Sequence, residues 1–224
     1  MPRLVFVLMF LALPVWAETI TYPDGTTYDG AVRAGAPHGQ GTVRMPDGLV
    51  YTGSFADGQI NGTGKVTFPD GTVYIGDVVT GALQGKGRIV YPNGATYEGA
   101  FSANTIDGYG RAVYSNGMIY HGEFRDGAVH GQGYLTDGSG YVYMGSFENN
   151  ERHGEGWAYY PQGALYRGRM EAGQRHGQGR LLMEDGTVME GRWERGELVS
   201  GTERIAPDVT EFSGSLSMSG ASGE

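Results

Sequence analysis

The chain has no cysteine among its 224 residues. Disulfides, thiolate metal sites and a lipid-modified N-terminal cysteine are therefore excluded. Charge is sparse and of one prevailing sign: 16 Lys and Arg stand against 25 Asp and Glu, a net charge of −9. Such a chain is a poor partner for nucleic acid. Long apolar runs are missing except at the N terminus, where "MPRLVFVLMFLALPVWA" holds one from Leu4 to Val15. That run is too short for a comfortable ~20-residue membrane span. Val15 and Ala17 instead suit the small-residue positions before a signal-peptidase cut. The expectation is a signal peptide over residues 1–17, cleaved after Ala17, with the mature chain exported to a periplasm or secreted. An uncleaved anchor or a buried first strand is the plainer alternative. Without Arg3 the mature chain carries 15 basic and 25 acidic residues, a net charge of −10. Exported small domains often lean on disulfides, so this one must be held by its backbone hydrogen bonds and packing. That favours a bacterial periplasm.

Glycine is the excess that answers these absences. There are 41 glycines, roughly 18% of the chain against a usual ~7%, together with 15 tyrosines. The surplus is periodic. "MPDGLVYTG" begins at Met45, "FPDGTVYIG" at Phe68, "YPNGATYEG" at Tyr91 and "YSNGMIYHG" at Tyr114, each 23 residues after the last. A fixed step in this range marks a repeat architecture. With the Tyr of Y-x-G as position 1, seven repeats start at Tyr28, Tyr51, Tyr74, Tyr97, Tyr120, Tyr143 and Tyr166, and a degenerate eighth at Met189. The frame is Y-x-G-x-Φ-x-x-G-x-x-x-G-x-G, then a short strand and a Pro/Ser-Asp/Asn-Gly turn.

Within the frame the alternation has period two, the mark of strands. Positions 1, 3 and 5 put Tyr, Gly and a large apolar residue on one face, as in Tyr97, Gly99 and Phe101. Positions 12, 14, 16 and 18 repeat the device on the return strand. Position 8 is Gly or Asn, which suits positive φ, and the Asp-Gly or Asn-Gly pair at positions 20 and 21 supplies the other hairpin turn. Glycine inside a strand marks close approach of another group, here Tyr and Phe rings lying flat on the backbone. The expected fold is all-β: an elongated single-sheet solenoid of antiparallel β-hairpin repeats with a 23-residue period, on the order of 70 Å long. Its parts are a partial repeat over 18–27, seven repeats over 28–188, a degenerate capping repeat over 189–206 and a Ser/Gly-rich tail over 207–224, read as disordered.

The pattern resembles the MORN (membrane occupation and recognition nexus) repeat, as in "YTGSFADGQINGTGKVTFPDG" from Tyr51 and "YRGRMEAGQRHGQGRLLMEDG" from Tyr166. It departs at Asn104 and Asn150, which stand where Gly is usual, and in the eighth repeat, where Met189 replaces Tyr and Ser200 replaces the position-12 Gly. The resemblance implies an interaction or membrane-proximal scaffold, sometimes attached to a separate catalytic domain.

Chemistry-bearing motifs are weighed against that frame. The G-x-G pairs lack the strand-to-helix setting of a dinucleotide site, so no nucleotide cofactor is expected. His38, His130, His153 and His176 all hold position 11, but adjacent copies lie two strands, roughly 10 Å, apart. Zinc ligands at ~2.0–2.1 Å from one ion need closer donors, so these read as polar turn residues and no metal is expected. No position unites nucleophile, base and orienting acid; the chain reads as non-enzymatic. Lys65, Arg88 and Arg111 share position 15 on the face away from the rings, a stripe that could hold anionic lipid headgroups. Asp77, Glu98 and Glu123 should lie nearby and pair with it. The expected partner is a protein, docking on Tyr51, Tyr74, Tyr97, Phe101, Tyr120, Phe124 and Tyr143. One sheet has no second layer to cover it, so these rings should be only partly buried and form a contiguous aromatic face. Headgroup binding through Lys65, Arg88 and Arg111, and glycan stacking on exposed Tyr rings, are the rival readings.

Overall fold

A computed structural model describes residues 16–205. The signal-peptide reading falls almost wholly outside them, as does the tail. The described residues contain strands and turns but no helix, and the chain divides at Gly108 and Tyr109 into two compact units. In the first unit lie β1 (Trp16–Thr21), β2 (Thr27–Arg33), β3 (Ala36–Arg44), β4 (Val50–Ala56), β5 (Gln59–Thr67), β6 (Val73–Val79), β7 (Ala82–Val90) and β8 (Thr96–Ser102). β9 (Thr105–Val113) runs through the division. In the second lie β10 (Ile119–Arg125), β11 (Ala128–Thr136), β12 (Val142–Glu148), β13 (Glu151–Tyr159), β14 (Leu165–Glu171), β15 (Gln174–Leu182), β16 (Thr187–Glu194) and β17 (Glu197–Ile205). Within each unit every strand pairs antiparallel with the next, as β4 does with β5 and β14 with β15. The all-β hairpin repeat is the fold.

Within the two units the hairpins from Y-x-G to G-x-G carry a bulge, as in β2–β3, β4–β5, β6–β7, β10–β11, β12–β13 and β14–β15. In β4–β5 Gly53 faces Gly64 and Phe55 faces Ile60, so the single residue Ser54 stands opposite Asn61, Gly62 and Thr63. Such an insertion disrupts the ladder and bends the strand. Gly62 takes φ 119° there, and Gly39 and Gly85 take 80° and 69° at the same position. The position-12 glycine therefore serves the bulge; it does not seat a ring, as the alternation alone suggested. Ser54 loses its ladder partner at the bulge, and its carbonyl accepts the Tyr51 hydroxyl at 3.0 Å. Tyr28 to Ala31 at 2.6 Å and Tyr74 to Asp77 at 2.7 Å repeat the bond.

The glycine pair at positions 3 and 14 is the seat of the ring. A Cβ on Gly53 would lie 2.5 Å from the Gly64 Cα, 2.5 Å from the Tyr51 hydroxyl and 2.6 Å from the Thr63 carbonyl oxygen. Each ring belongs to the same hairpin as its glycines. Position-5 side chains then wedge between consecutive tyrosines: Phe55 meets Tyr28 at 4.9 Å and Tyr51 at 5.3 Å, edge-on in both cases. Such T-shaped contacts add about 0.5–1.5 kcal/mol beyond burial.

The turns at positions 7 and 8 both have positive φ, for instance Asp57 at 47° with Gly58 at 84°, and Thr80 at 48° with Gly81 at 80°. That is the primed turn whose twist matches a two-residue hairpin. Only its second residue was legible from composition, because Ala34, Asp57, Thr80 and Ala103 share nothing at the first. Successive repeats are tied at this end. The Gly58 N–H donates to the Pro37 carbonyl at 2.9 Å and that of Gly81 to Ile60 at 3.0 Å. At Asn104 the departure from Gly adds a bond: its N–H reaches the Leu83 carbonyl at 3.0 Å and its Oδ1 accepts the Leu83 N–H at 2.8 Å. Asn150 does the same to Val129.

Gly53→Ala separates two effects of opposite sign. Relief of glycine's chain entropy would stabilise by ~0.5–1 kcal/mol, whereas overpacking against backbone costs ~1–3 kcal/mol. Thermal unfolding should show a net loss, and an unchanged or higher melting temperature would refute the ring seat.

Candidate functional site

The aromatic face is closed. Tyr51, Tyr74, Tyr120 and Tyr143 are 0% exposed, and Tyr97, Phe101 and Phe124 no more than 6%. The expectation of partly exposed rings is corrected on all seven residues. Rings laid flat over glycines, with their edges shared by position-5 neighbours, need no second layer to be buried. Burial pushes the hydroxyls of Tyr74, Tyr97 and Tyr166 up to about 12, and those of Tyr51, Tyr120 and Tyr143 upward as well. These residues form the core, and a partner reaches them only by displacing it.

Lys65, Arg88 and Arg111 are exposed on the opposite face. Lys65 stands between Thr52 and Ile75, and Arg88 opposite Glu98. Asp77 and Glu123 turn away from this duty: their carboxylates accept the backbone N–H of Lys86 and of Gln132, each at 3.1 Å. Three of the position-11 histidines meet local carboxylates. His38 Nδ1 faces Asp57 at 3.5 Å, His153 faces Glu148 at 3.6 Å and His176 faces Glu171 at 3.3 Å. Among the described residues, no three His, Asp or Glu gather around a common point.

The exposed part of the inner face lies at position 18. In the first unit this is the row Tyr22, Met45, Phe68 and Tyr91. Tyr22 and Met45 are each 37% exposed, Tyr91 36%, and Phe68 is half-buried. Each opens a turn of one design. The Met45 N–H reaches the Leu49 carbonyl at 2.9 Å, the Gly48 N–H returns to Met45 at 3.0 Å, and Asp47 Oδ1 accepts the Leu49 N–H at 3.0 Å. Only the glycine has positive φ here, 95° at Gly48, so this is a type I turn closed by a glycine rather than a primed one. The turns stack in a column: a Cβ on Gly25 would lie 3.4 Å from Pro46, on Gly48 3.8 Å from Pro69 and on Gly71 3.7 Å from Pro92. Asp24, Asp47 and Asp70 stand exposed beside the row. The hydrogen bond from the Thr26 N–H holds the Asp24 carboxyl below its usual range.

The row was in plain view as Φ-Pro-Asp/Asn-Gly but reads as turn chemistry alone. Two arginines were also missed. Arg152 and Arg175 occupy position 10, where the first unit has Pro37, Ile60 and Leu83. Arg175 lies 4.6 Å over the Trp193 ring and donates to the Gly196 carbonyl at 2.7 Å; Arg152 lies 5.3 Å from the Tyr141 ring and donates to Gly173 at 2.7 Å. In the eighth repeat Gly191 pairs with Gly201, one place earlier than the frame requires. Met189, Trp193 and Leu198 there line an open depression of about 550 Å³ in the second unit.

The MORN repeat signature matches seven consecutive segments, residues 28–50, 51–73, 74–96, 97–119, 120–140, 143–164 and 166–188. The chain belongs to the MORN-repeat family. No curated protein matches it by sequence. Among solved structures it is similar to the G-box domain of the microcephaly protein CPAP, with a TM-score of 0.51 and 14% identity, over 84% of this chain and 97% of that one. It is also similar to the TCP domain of SAS-4 (dCPAP) of Drosophila melanogaster, solved with a proline-rich motif of Ana2 (dSTIL), with a TM-score of 0.43 and 13% identity, over 86% of this chain and 99% of that one. The first likeness is one of fold.

Core tyrosines tie stability to alkaline pH. Their folded values lie above the ordinary 10, at about 12 for Tyr74, Tyr97 and Tyr166. The neutral form's contribution is complete below pH 10 and is lost as pH rises from 10 toward 12. With circular dichroism and tyrosinate absorbance followed together, the core rings' share of the absorbance should appear only where the folded signal is lost, above pH 10. Ionisation of these rings at ordinary pH values in a still-folded chain would contradict the burial.

Proposed function

We propose that this protein is an exported, non-enzymatic repeat scaffold that binds a partner protein on the ledge formed by Tyr22, Met45, Phe68 and Tyr91. The observation that carries this reading is the exposure of that row beside a closed core. Binding surfaces favour aromatic and Met side chains on a rigid frame, and four turns of one design supply the frame. The polar groups along the ledge are turn carboxylates and an amide, each tied to a backbone N–H two residues on, as Asp70 is to Thr72 at 2.8 Å. That arrangement suits recognition better than acid–base chemistry. Membership of a repeat family known for interaction scaffolds supports the same class.

Export rests on the apolar run and on Val15 and Ala17. β1 pairs Trp16 with Val32 and Ala17 with Ala31, and then Glu18 to Thr21 with Gly30 to Thr27. Cleavage after Ala17 would leave the last four of these six pairs, so the mature chain keeps its first strand. Intact-mass analysis of the cell-envelope or secreted fraction should find Glu18 first. A membrane-bound form retaining Met1 would overturn the export reading.

The docking surface is tested by capture from the protein's own cell envelope. Met45→Ser combined with Tyr91→Ser should abolish capture of the partner while circular dichroism stays that of the parent. Lys65→Glu and Arg88→Glu, on the opposite face, should leave capture unchanged. The reverse pattern would transfer function to the basic stripe and to headgroup binding.

A further inference from the structure

Resting on the ledge as a protein-docking surface, we propose that it reads an extended polyproline-type segment of the partner. The segment's apolar residues recur at every third position, and its Lys or Arg residues face Asp24, Asp47 and Asp70.

Period and charge carry this. Consecutive ledge residues come from equivalent turns two strands apart, so their step is ~9.6 Å. A polyproline II helix has three residues per turn and ~3.1 Å rise, which returns a side chain to the same face every ~9.3 Å. An α-helix returns one every seven residues, ~10.5 Å. Over the three steps from Tyr22 to Tyr91 the accumulated mismatch is ~0.9 Å for polyproline II and ~2.7 Å for the α-helix. A β-strand repeats its face at ~6.7 Å and its double at ~13 Å, and neither matches. The left-handed, hydrogen-bond-free backbone of polyproline II is also the form that aromatic-lined grooves receive as a preformed ligand.

The sign of the partner follows from the turn tips. Asp24, Asp47 and Asp70 each lie two residues after a ledge side chain and are exposed. Each carboxylate gives one oxygen to a backbone N–H, as in Asp24 to Thr26 at 2.9 Å and Asp47 to Leu49 at 3.0 Å. In Asp24 and Asp70 the second oxygen also accepts a hydroxyl, from Thr26 and Thr72, each at 3.0 Å; these bonds come from neutral groups, so all three carboxylates keep their charge at exposed turn tips. Beside the ledge the inner face is uncharged, with Val43, Val66 and Ile89 buried, and the chain as a whole is net −9. A neutral or acidic segment would leave three carboxylates without a counter-charge along its length; a basic one supplies it at the same step as the apolar contacts. Asn93 holds the fourth turn position and makes the same turn bond, to the Ala95 N–H at 3.0 Å. Asp→Asn changes therefore remove charge while keeping the turn.

The test is fluorescence anisotropy of labelled 12-residue peptides (four triplets) with the full mature chain. One peptide repeats Leu-Pro-Lys. A second repeats Leu-Pro-Glu, a third scrambles the first to break its period, and a fourth is a basic amphipathic helix former. The Leu-Pro-Lys peptide should bind saturably, ~10-fold or more tighter than each of the others, a difference of ~1.4 kcal/mol. Asp47→Asn with Asp70→Asn should weaken it several-fold and flatten its salt dependence. Met45→Ser with Tyr91→Ser should abolish binding. Equal binding of the acidic, scrambled or helical peptide overturns the proposal, and so does binding of none. If none binds while partner capture still depends on Met45 and Tyr91, the docking surface stands and only this chemistry falls. If capture is also independent of them, both fall.

Discussion

The structure depends on one arrangement: a tyrosine ring lying on a pair of glycines beside a bulge. The ring needs both glycines, because a Cβ on Gly53 would overlap the Gly64 backbone and the Tyr51 hydroxyl together. The bulge in turn needs the tyrosine. It strips Ser54 of its ladder partner, and the Tyr51 hydroxyl supplies the missing donor. A buried carbonyl left unpaired would cost about 1–3 kcal/mol, so phenylalanine fills the volume without doing the chemistry. This is why position 1 is tyrosine in all seven full repeats while position 5 accepts Val32, Phe55, Val78 or Met170.

Closing the rings into the backbone has a consequence for function. A single-layer sheet usually exposes one apolar face; here that face is sealed at positions 1 and 5, and what remains open is the row at the turn tips. The ledge residues are thus leftovers of the core's geometry, held on turns that the repeat makes alike. Rigidity at no extra cost in ordering is what a recognition surface requires. The second unit varies the same plan. Arg152 and Arg175 enter where the first unit has aliphatic side chains, lay their guanidinium groups against rings, and cap the next repeat's turn carbonyl.

The departures from the repeat frame carry physical content. Asn104 and Asn150 look like losses of glycine, yet each adopts positive φ, 72° and 70°, and gains a side-chain bond to the preceding repeat. Repeat 8 has lost its Tyr and its position-12 Gly. It still keeps a glycine pair by sliding one place, Gly191 against Gly201, while Trp193 closes over Tyr166 and donates to the Gly179 carbonyl at 2.9 Å.

The sequence by itself determined the hairpin repeat, its 23-residue step, its boundaries and the need for glycine where a ring approaches the backbone. Those follow from local rules: period-two alternation, turn residues and the steric meaning of glycine in a strand. It also located the basic stripe of Lys65, Arg88 and Arg111 on the face away from the rings. Only the tertiary structure decided how much of each ring solvent can reach. That quantity depends on how completely position-5 neighbours shut in the edges of the flat rings, which the bulge fixes through the register of two strands and which no single position encodes. The same holds for the split role of positions 12 and 14 and for the primed turn at residues such as Asp57 and Thr80, where strand twist overrides local preference. The proposed docking surface lies at Met45 and Tyr91 rather than at Tyr97 and Tyr120 for that reason: alternation assigns a side chain to a face, but exposure is settled by what its neighbours in space have already covered.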